Sequence, residues 1–331
     1  VASSSEIVTR GLAGFSRSPT ARREAGLTIA LILIGAAFSL ASPYFLTVNN
    51  LVTVLRNSVE LSVVTAGMTL VIIMGGIDVG VGGIVAVAAI AVGRAYQAGL
   101  PDLAVIVVGL TVGLLLGCVN GFLCSRVRVP PIIATLGTMY IWIATVFLVL
   151  GGSWIAGLPS TLTPLVRGSP FGVPSAILVI GGVYLICWYV LRQTPFGRHL
   201  YAIGCNEAAS RLSGINVDRV KLHAYAFLGL LAGFAAILYV ARLRNVEINI
   251  GTTVALEAIA ATILGGTSIR GGVGSLAGAL LGVLFIKVIQ NGLILIGVSS
   301  LWEPVVIGGL LIAVLALDAR QHGAWRGMLA S

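Results

Sequence analysis

The chain has 331 residues, of which 58% are hydrophobic and only 9% charged, and it contains 43 glycines. Ordinary soluble domains carry about 25% charged residues, so 20 basic and 11 acidic side chains cannot cover a water-soluble fold of this size. A mean hydropathy of +1.06 agrees, and the net charge of +9 reads as the Lys/Arg excess that membrane proteins keep on cytoplasmic loops, with no nucleic-acid partner.

A membrane-crossing helix takes about 20 apolar residues, so the length accommodates eight to ten. The expected fold is an all-α polytopic membrane protein with some helices broken at glycine-rich segments. Residues 1–26 are polar, with Arg10, Arg17, Arg22 and Arg23, and are expected to form a cytoplasmic tail with no cleaved leader. Apolar runs then predict spans near 27–46, 59–75, 79–97, 103–123, 130–150, 174–191, 222–241, 254–269, 273–297 and 302–317. Residues 318–331 are expected to be a second cytoplasmic tail. With the amino terminus inside, fourteen basic residues fall on inside segments and five (Arg56, Arg94, Arg167, Arg242, Arg244) on outside ends, which places both termini in the cytoplasm.

Two loops stand apart. The inside loop 192–221, RQTPFGRHLYAIGCNEAASRLSGINVDRVK, holds a short helical pattern with Asn206 as its N-cap and Gly214 as its C′ residue. The outside loop 151–173 is rich in proline and holds Trp154 and one charge, Arg167. Residues 74–87 and 264–280 resemble each other: both are glycine-dense, with a polar break between apolar runs. That pattern fits an internal repeat with broken helices, and equally fits helices that pack closely through small faces.

Motifs for covalent chemistry are lacking. No P-loop sequence is present, and the only lysines are Lys221 and Lys287. Cys118, Cys124, Cys187 and Cys205 form no close pair, and His199, His223 and His322 are scattered. The chain is therefore expected not to be an enzyme and to bind no metal or cofactor itself. Ionisable residues at membrane depth are the default functional candidates. Asp78 leads them, lying in the run 75–83 with five glycines in nine positions, where a continuous helix is disfavoured. It is expected either to accept hydrogen bonds at a polar break or simply to cap the next helix. Gly75, Gly76 and Asp78, with Gly265, Gly266, Thr267 and Ser268 of the second glycine-rich segment, are the candidate gate or path residues. Lys287 is expected to snorkel or to pair within the protein, Glu257 and Glu303 to sit at span ends, Asn120 and Asn291 to end helices, and Trp142, Trp154 and Trp302 to anchor at interfaces. From the residues alone, an ion-gradient-driven transporter is a rival reading.

Residues 197–221, 67–83 (GMTLVIIMGGIDVGVGG), 120–140, 258–282 and 290–300 resemble, in order, segments of permeases from ABC importers of the ribose and monosaccharide class. The resemblance spans about residues 45 to 318. Residues 134–162 are similar to the rhamnose or autoinducer-2 permeases, and a branched-chain amino-acid permease is the neighbouring alternative. The resemblance implies a permease subunit in a bacterial inner membrane, paired with a copy of itself or a sister subunit. It implies two cytoplasmic ATPase domains that carry ATP and Mg²⁺, an external binding protein, and a small sugar-like solute. It also implies that residues 204–214 dock on the ATPase, with Gly204, Asn206, Glu207, Ala208, Ala209, Ser213 and Gly214 in the coupling motif. Val79 and Gly80 stand where the family usually has Leu and Ser, and Cys205 where glycine is common.

Overall fold

The computed structural model describes residues 19–306 other than 160, together with 308, 309 and 312. The two expected tails therefore lie largely outside the described residues, as does half of the tenth expected span. Among the described residues, seven helices are long and apolar enough to cross a membrane, and two shorter apolar helices accompany them.

Helix α1 (Pro19–Ala41) begins earlier than its apolar run, with Pro19 at its first position, where a missing N–H costs nothing. Helix α2 (Val48–Ile73) is capped by Thr47, whose hydroxyl accepts the Asn50 amide proton. It starts eleven residues ahead of the expected 59. The polar residues that hide this in the sequence have partners: Arg56 donates to the Arg167 carbonyl at 2.9 Å, and Glu60 accepts from Arg242 at 2.6 Å. Short α3 (Val81–Gln97) follows the first glycine-rich break, then α4 (Asp102–Ser125) and α5 (Pro131–Leu150). Among its described residues the outside loop carries α6 (Pro164–Arg167) and a 3₁₀ turn before α7 (Ser175–Gln193). Helices α8 (Pro195–Cys205) and α9 (Glu207–Leu212) form the polar loop, and α10 (Val217–Leu243) returns through the bundle. Short α11 (Val254–Leu264), the second glycine-rich break and α12 (Leu276–Leu295) complete it.

Helices α2 and α10 are buried on nearly all sides, which their all-round apolar sequences require. The others surround them and keep outward faces of large apolar residues such as Leu148 and Leu185. The closest packing joins α4 to α10. Gly109, Gly113, Gly117 and Gly121 recur every fourth residue and share one face of α4. A Cβ on Gly113 would strike the Gly229 carbonyl and Gly233, one on Gly117 the Tyr225 carbonyl and Gly229, and Gly229 and Gly233 meet α4 in return. Backbone-to-backbone approach of this kind replaces the hydrophobic driving force that lipid cannot supply between helices.

One end of the bundle ties the outside loop to its neighbours. Ile155 and Val246 pair as an antiparallel bridge, Arg94 donates to the Val149 carbonyl, and Arg244 to the Leu158 carbonyl. The opposite end holds α8, α9 and both glycine-rich breaks, with Arg23 of α1 covering Gly266. All five basic residues assigned outside therefore gather at one end. Asn291, expected to end a helix, instead lies within α12 and exchanges amide hydrogen bonds with Asn50 of α2 at 2.8 and 2.9 Å.

The glycine seam gives a direct test. Gly113→Leu or Gly229→Leu forces backbones apart and should lower the melting temperature of the purified protein by at least 10 °C or abolish monodisperse protein, since overpacking costs about 1–3 kcal/mol even where side chains can yield. Gly137→Leu and Gly181→Leu, where an added Cβ meets nothing within 4 Å, should shift it little.

Candidate functional site

The first break follows α2. Gly75 adopts φ +84°, a conformation open to glycine at little cost, and the Gly75 and Gly76 amides turn back to the Ile72 and Val71 carbonyls. Asp78 is fully buried. Asn120 of α4 donates to both of its carboxylate oxygens at 3.0 Å, and the Gly80 and Val81 amides at the start of α3 point at the same carboxylate. The Val79 amide donates to Thr135 of α5 at 3.1 Å, and the Tyr225 hydroxyl of α10 to the Ile77 carbonyl at 3.3 Å. Four helices thus fasten one irregular heptapeptide. Gly80 is enclosed: a Cβ there would lie 2.9 Å from both the Thr135 carbonyl and the Thr138 hydroxyl. Asn120, expected to end a helix, is the carboxylate's partner inside α4. Its distance from Asp78 in the chain hid that role.

The second break, after α11, is a tight loop. Gly265, Gly266 and Thr267 donate back to carbonyls of α11, Ser268 to the Val273 carbonyl, and Gly271 to the Ser268 carbonyl. Gly265, Gly266, Thr267 and Ser268 are buried, with Gly265 pressed against Gly278 of α12. The two breaks meet: the Gly272 amide donates to the Ile73 carbonyl at 2.8 Å. A Cβ on Gly271 would lie 2.9 Å from Gly204 and from the Gly75 amide nitrogen. The helix–break–helix units noted in the sequence therefore face each other at the same end of the bundle.

Helix α8 closes this junction. Gly204 packs so tightly that a Cβ would overlap the Ile73 carbonyl and the Gly272 amide. The Tyr201 hydroxyl donates to the Gly274 carbonyl at 3.0 Å. Two residues after Gly204, Asn206 caps α9 by accepting the Ala209 amide proton at 3.0 Å. Glu207 accepts from Lys221 at 2.7 Å and from Arg211 at 3.0 Å, and Arg211 also reaches Asp218 at 2.6 Å. These pairs clamp α9 to the start of α10. Partial burial works to raise the Glu207 carboxyl, but the hydrogen bonds from Lys221 and Arg211 outweigh it and hold the pKa below the ordinary glutamate value. Gly214, at φ +83°, ends the element after Ser213 bonds back to the Ala209 carbonyl. Ala208, Ala209, Ser213 and Gly214 are exposed, and Leu212 is 90% exposed, so α9 presents a small apolar surface outward. The two groups of residues singled out in the sequence, 204–214 and the glycine-rich breaks, are one contiguous structure joined at Gly204.

Two other polar sites matter. At the opposite end, Arg56, Arg167 and Arg242 with Thr53 and Asn57 line a cavity of about 240 Å³. Within the bundle, Lys287 donates to Glu257 at 2.9 Å and to Gln290 at 2.8 Å, and Gln290 donates to Glu257 at 3.3 Å. Lys287 pairs inside the protein, one of the two outcomes expected of it. Glu257 does occupy a helix end, but its side chain is buried there, and its charge is met by the lysine. Trp142 packs on Gly83 of α3 and is only partly exposed, whereas Trp154 and Trp302 are exposed.

A helical bundle crossing a membrane repeatedly, with interrupted helices fastened to a protruding polar helix, is the architecture of a transport permease. Residues 50–315 match the family described as branched-chain amino acid transport system / permease component, and the chain belongs to that family. It is 37% identical over 298 residues to the ribose import permease protein RbsC of Escherichia coli (strain K12), covering 89% of this chain and 93% of the relative. It is 35% identical over 302 residues to the autoinducer 2 import system permease protein LsrC of Enterobacter sp. (strain 638), covering 91% and 88%. It is 36% identical over 296 residues to the probable ABC transporter permease protein y4mJ of Sinorhizobium fredii (strain NBRC 101917 / NGR234), covering 89% of each. The chain is thus a permease component of an ABC importer, a multi-pass membrane protein and not an enzyme, and ATP hydrolysis belongs to separate subunits.

Two results should follow. Asp78→Ala leaves the Asn120 amide and the amides at the start of α3 without their buried acceptor, a loss worth about 1–3 kcal/mol or more. Uptake should fall at least tenfold, with Asp78→Asn intermediate; native uptake, assembly and ATPase stimulation in both variants would exclude an essential role. Because the Glu207 pKa is depressed, its contribution is complete above the unfolded value of about 4.3 and is lost as pH falls through the lower folded value. Hydrogen exchange of the α9 amides should therefore show constant protection from pH 8 to about pH 5 and a loss below about pH 4. Glu207→Gln should shrink that acid step, leaving the part carried by Asp218, whose carboxyl the Arg211 hydrogen bond also holds below the ordinary value.

Proposed function

We propose that this permease passes a small polyhydroxylated solute, a ribose-like sugar or an autoinducer-2-like furanosyl compound, inward after delivery by an external binding protein. The carrying observation is the contact of Gly204 with both the Ile73 carbonyl and the Gly272 amide. A helix docked on an ATPase would, through this backbone contact, push directly on both glycine-rich breaks. Rigid short elements transmit such rigid-body motion between alternative packings. Residues 204–214 are the coupling element, with Glu207, Lys221 and Arg211 keeping it aligned and Leu212 entering the ATPase groove. Gly75, Gly76, Asp78, Gly265, Gly266, Thr267 and Ser268 form the gate, in which Asp78 fastens the first break rather than touching solute.

In this reading the α8–α9 end is cytoplasmic, both tails (1–26 and 318–331) and the loop 192–221 lie on that side, and the membrane is the bacterial inner membrane. Two permease chains, identical or sister subunits, pair around the path, and two ATPase domains supply ATP and Mg²⁺ chemistry. The arginine-lined cavity at the opposite end suits acidic side chains of the binding protein. A sugar-like cargo is supported by the names of the relatives, which import ribose or autoinducer 2. It is also supported by the neutralisation of Glu257 by Lys287, which leaves that pair no free charge for a zwitterion.

The test is ATP hydrolysis by the permease reconstituted with its ATPase and binding protein, screened across pentoses, hexoses, furanosyl compounds and branched-chain amino acids. One sugar-loaded binding protein should stimulate hydrolysis and uptake, and Leu212→Asp should reduce stimulation at least tenfold while the permease remains assembled. Stimulation by an amino acid alone, or uptake that follows an ion gradient without an ATPase, contradicts the proposal.

A further inference from the structure

The segment between α10 and α11 does not turn back at the membrane surface. Val246, paired with Ile155, packs on Gly93 near the outer end of α3. Five residues later, the Gly251 carbonyl fills the space a Cβ on Gly82 would need, and the Gly82 carbonyl does the same to Gly251. Gly93 and Gly82 are eleven residues apart on one helix, about 16 Å at 1.5 Å per residue. The chain therefore descends alongside α3 in extended and turn conformations. Helix α11 starts about 22 Å below the outer end of α3 at the same rise per residue, deep within a hydrocarbon layer about 30 Å thick.

This depth matters because the segment is not enclosed. Asn249, Thr252 and Thr253 are exposed, as is Leu256 one turn into α11. The Thr252 hydroxyl bonds only to the Asn249 carbonyl. The Asn249 amide and the Thr253 hydroxyl have no hydrogen-bond partner among the described residues, and Thr253 precedes α11 without capping it. Irregular backbone at membrane depth is tolerated where it is buried in protein or lines a water-filled cavity, and not where it faces lipid. The lipid-facing surfaces of this bundle look different, with Leu148 of α5 and Leu185 of α7 in regular helices.

We infer that the exposed face of residues 249–256 lines the aqueous translocation path. Asn249, Thr252 and Thr253 offer amide and hydroxyl groups to the hydroxyls of the passing solute well below the outer membrane surface. This inference rests on the permease reading and names a lining that lies outside the glycine-rich gate. The path residues are neutral and can both donate and accept hydrogen bonds, which suits weak, exchangeable contacts with a polyol and offers no fixed charge to hold an ion. The same segment leads straight into α11 and the second break, so movement at Gly271–Gly272 is carried to it by one short helix.

Cysteine accessibility tests this in the complete complex of permease, ATPase and binding protein in liposomes. Of the two native cysteines that are not buried, Cys118 is replaced by serine, while Cys205, in the coupling element, is kept and its own labelling is measured in the parent protein as the baseline. Asn249→Cys, Thr252→Cys, Thr253→Cys and Leu256→Cys are then compared with Leu148→Cys. The probes are a trimethylammonium methanethiosulfonate reagent and a lipophilic pyrene maleimide, and binding-protein-stimulated ATPase activity in the same liposomes reports that the complex is intact. At least two of the four positions should react with the charged reagent ten or more times faster than Leu148→Cys, and reaction should block uptake. Reaction with the lipophilic probe alone, reaction with neither, or labelling that leaves uptake unchanged overturns the inference, while continued ATPase stimulation keeps the permease reading standing.

Discussion

The backbone contact among Ile73, Gly204 and Gly272 is the constraint on which the rest of the molecule depends. A helix interrupted inside a membrane exposes amides and carbonyls that lipid cannot satisfy. Here each break answers part of the other's need, because the Gly272 amide donates to the Ile73 carbonyl. That bond requires the two loops to touch at the level of main chain, and no side chain fits between them at Gly204 or Gly271. Both breaks are therefore committed to one position relative to α8.

The surrounding structure supports this junction from several sides. The glycine seam between α4 and α10 brings Asn120 and Tyr225 to the first break, one to hold Asp78 and the other the Ile77 carbonyl. The Thr69 and Thr262 hydroxyls, 3.5 Å apart, and the Lys287–Glu257 pair hold α11 against α2 and α12. In the descending segment Ile250 is buried in the core, while Asn249, Thr252 and Thr253 face outward, as does the outer surface of α9. A tightly packed centre between the two proposed functional surfaces is suited to passing a displacement from an ATPase to a solute path. Densely packed interfaces move between discrete arrangements rather than deforming continuously.

Much of this was legible in the sequence. Hydrophobic runs located the helices, and glycine density marked both breaks. Asn206 and Gly214 bounded the short helix because capping and left-handed conformations have strong residue preferences. The four-residue spacing of Gly109, Gly113, Gly117 and Gly121 was available as a signal and would have located the α4–α10 seam. Other features could not be read locally. Asn120 was expected to end a helix because asparagine followed by glycine does so on average, and only folding brings it to Asp78, 42 positions away. The outer turns of α2 were missed because Arg56, Asn57 and Glu60 interrupt its apolar run, and their partners lie more than a hundred residues on. The descent of residues 246–253 left no periodic trace, since extended chain and turns have no helical repeat to detect.

The most direct measurement compares ATP hydrolysis with solute uptake in the reconstituted complex carrying Gly204→Ala. The added methyl group has no space between the Ile73 carbonyl and the Gly272 amide, so α8 must separate from one break or the other. The α9 surface proposed to face the ATPase is left unchanged. Hydrolysis that persists at half the native rate or more, with uptake reduced at least tenfold, is the predicted result. Native uptake in a variant whose monodispersity and hydrolysis are also native would contradict the claim that this backbone contact links the ATPase to the gate.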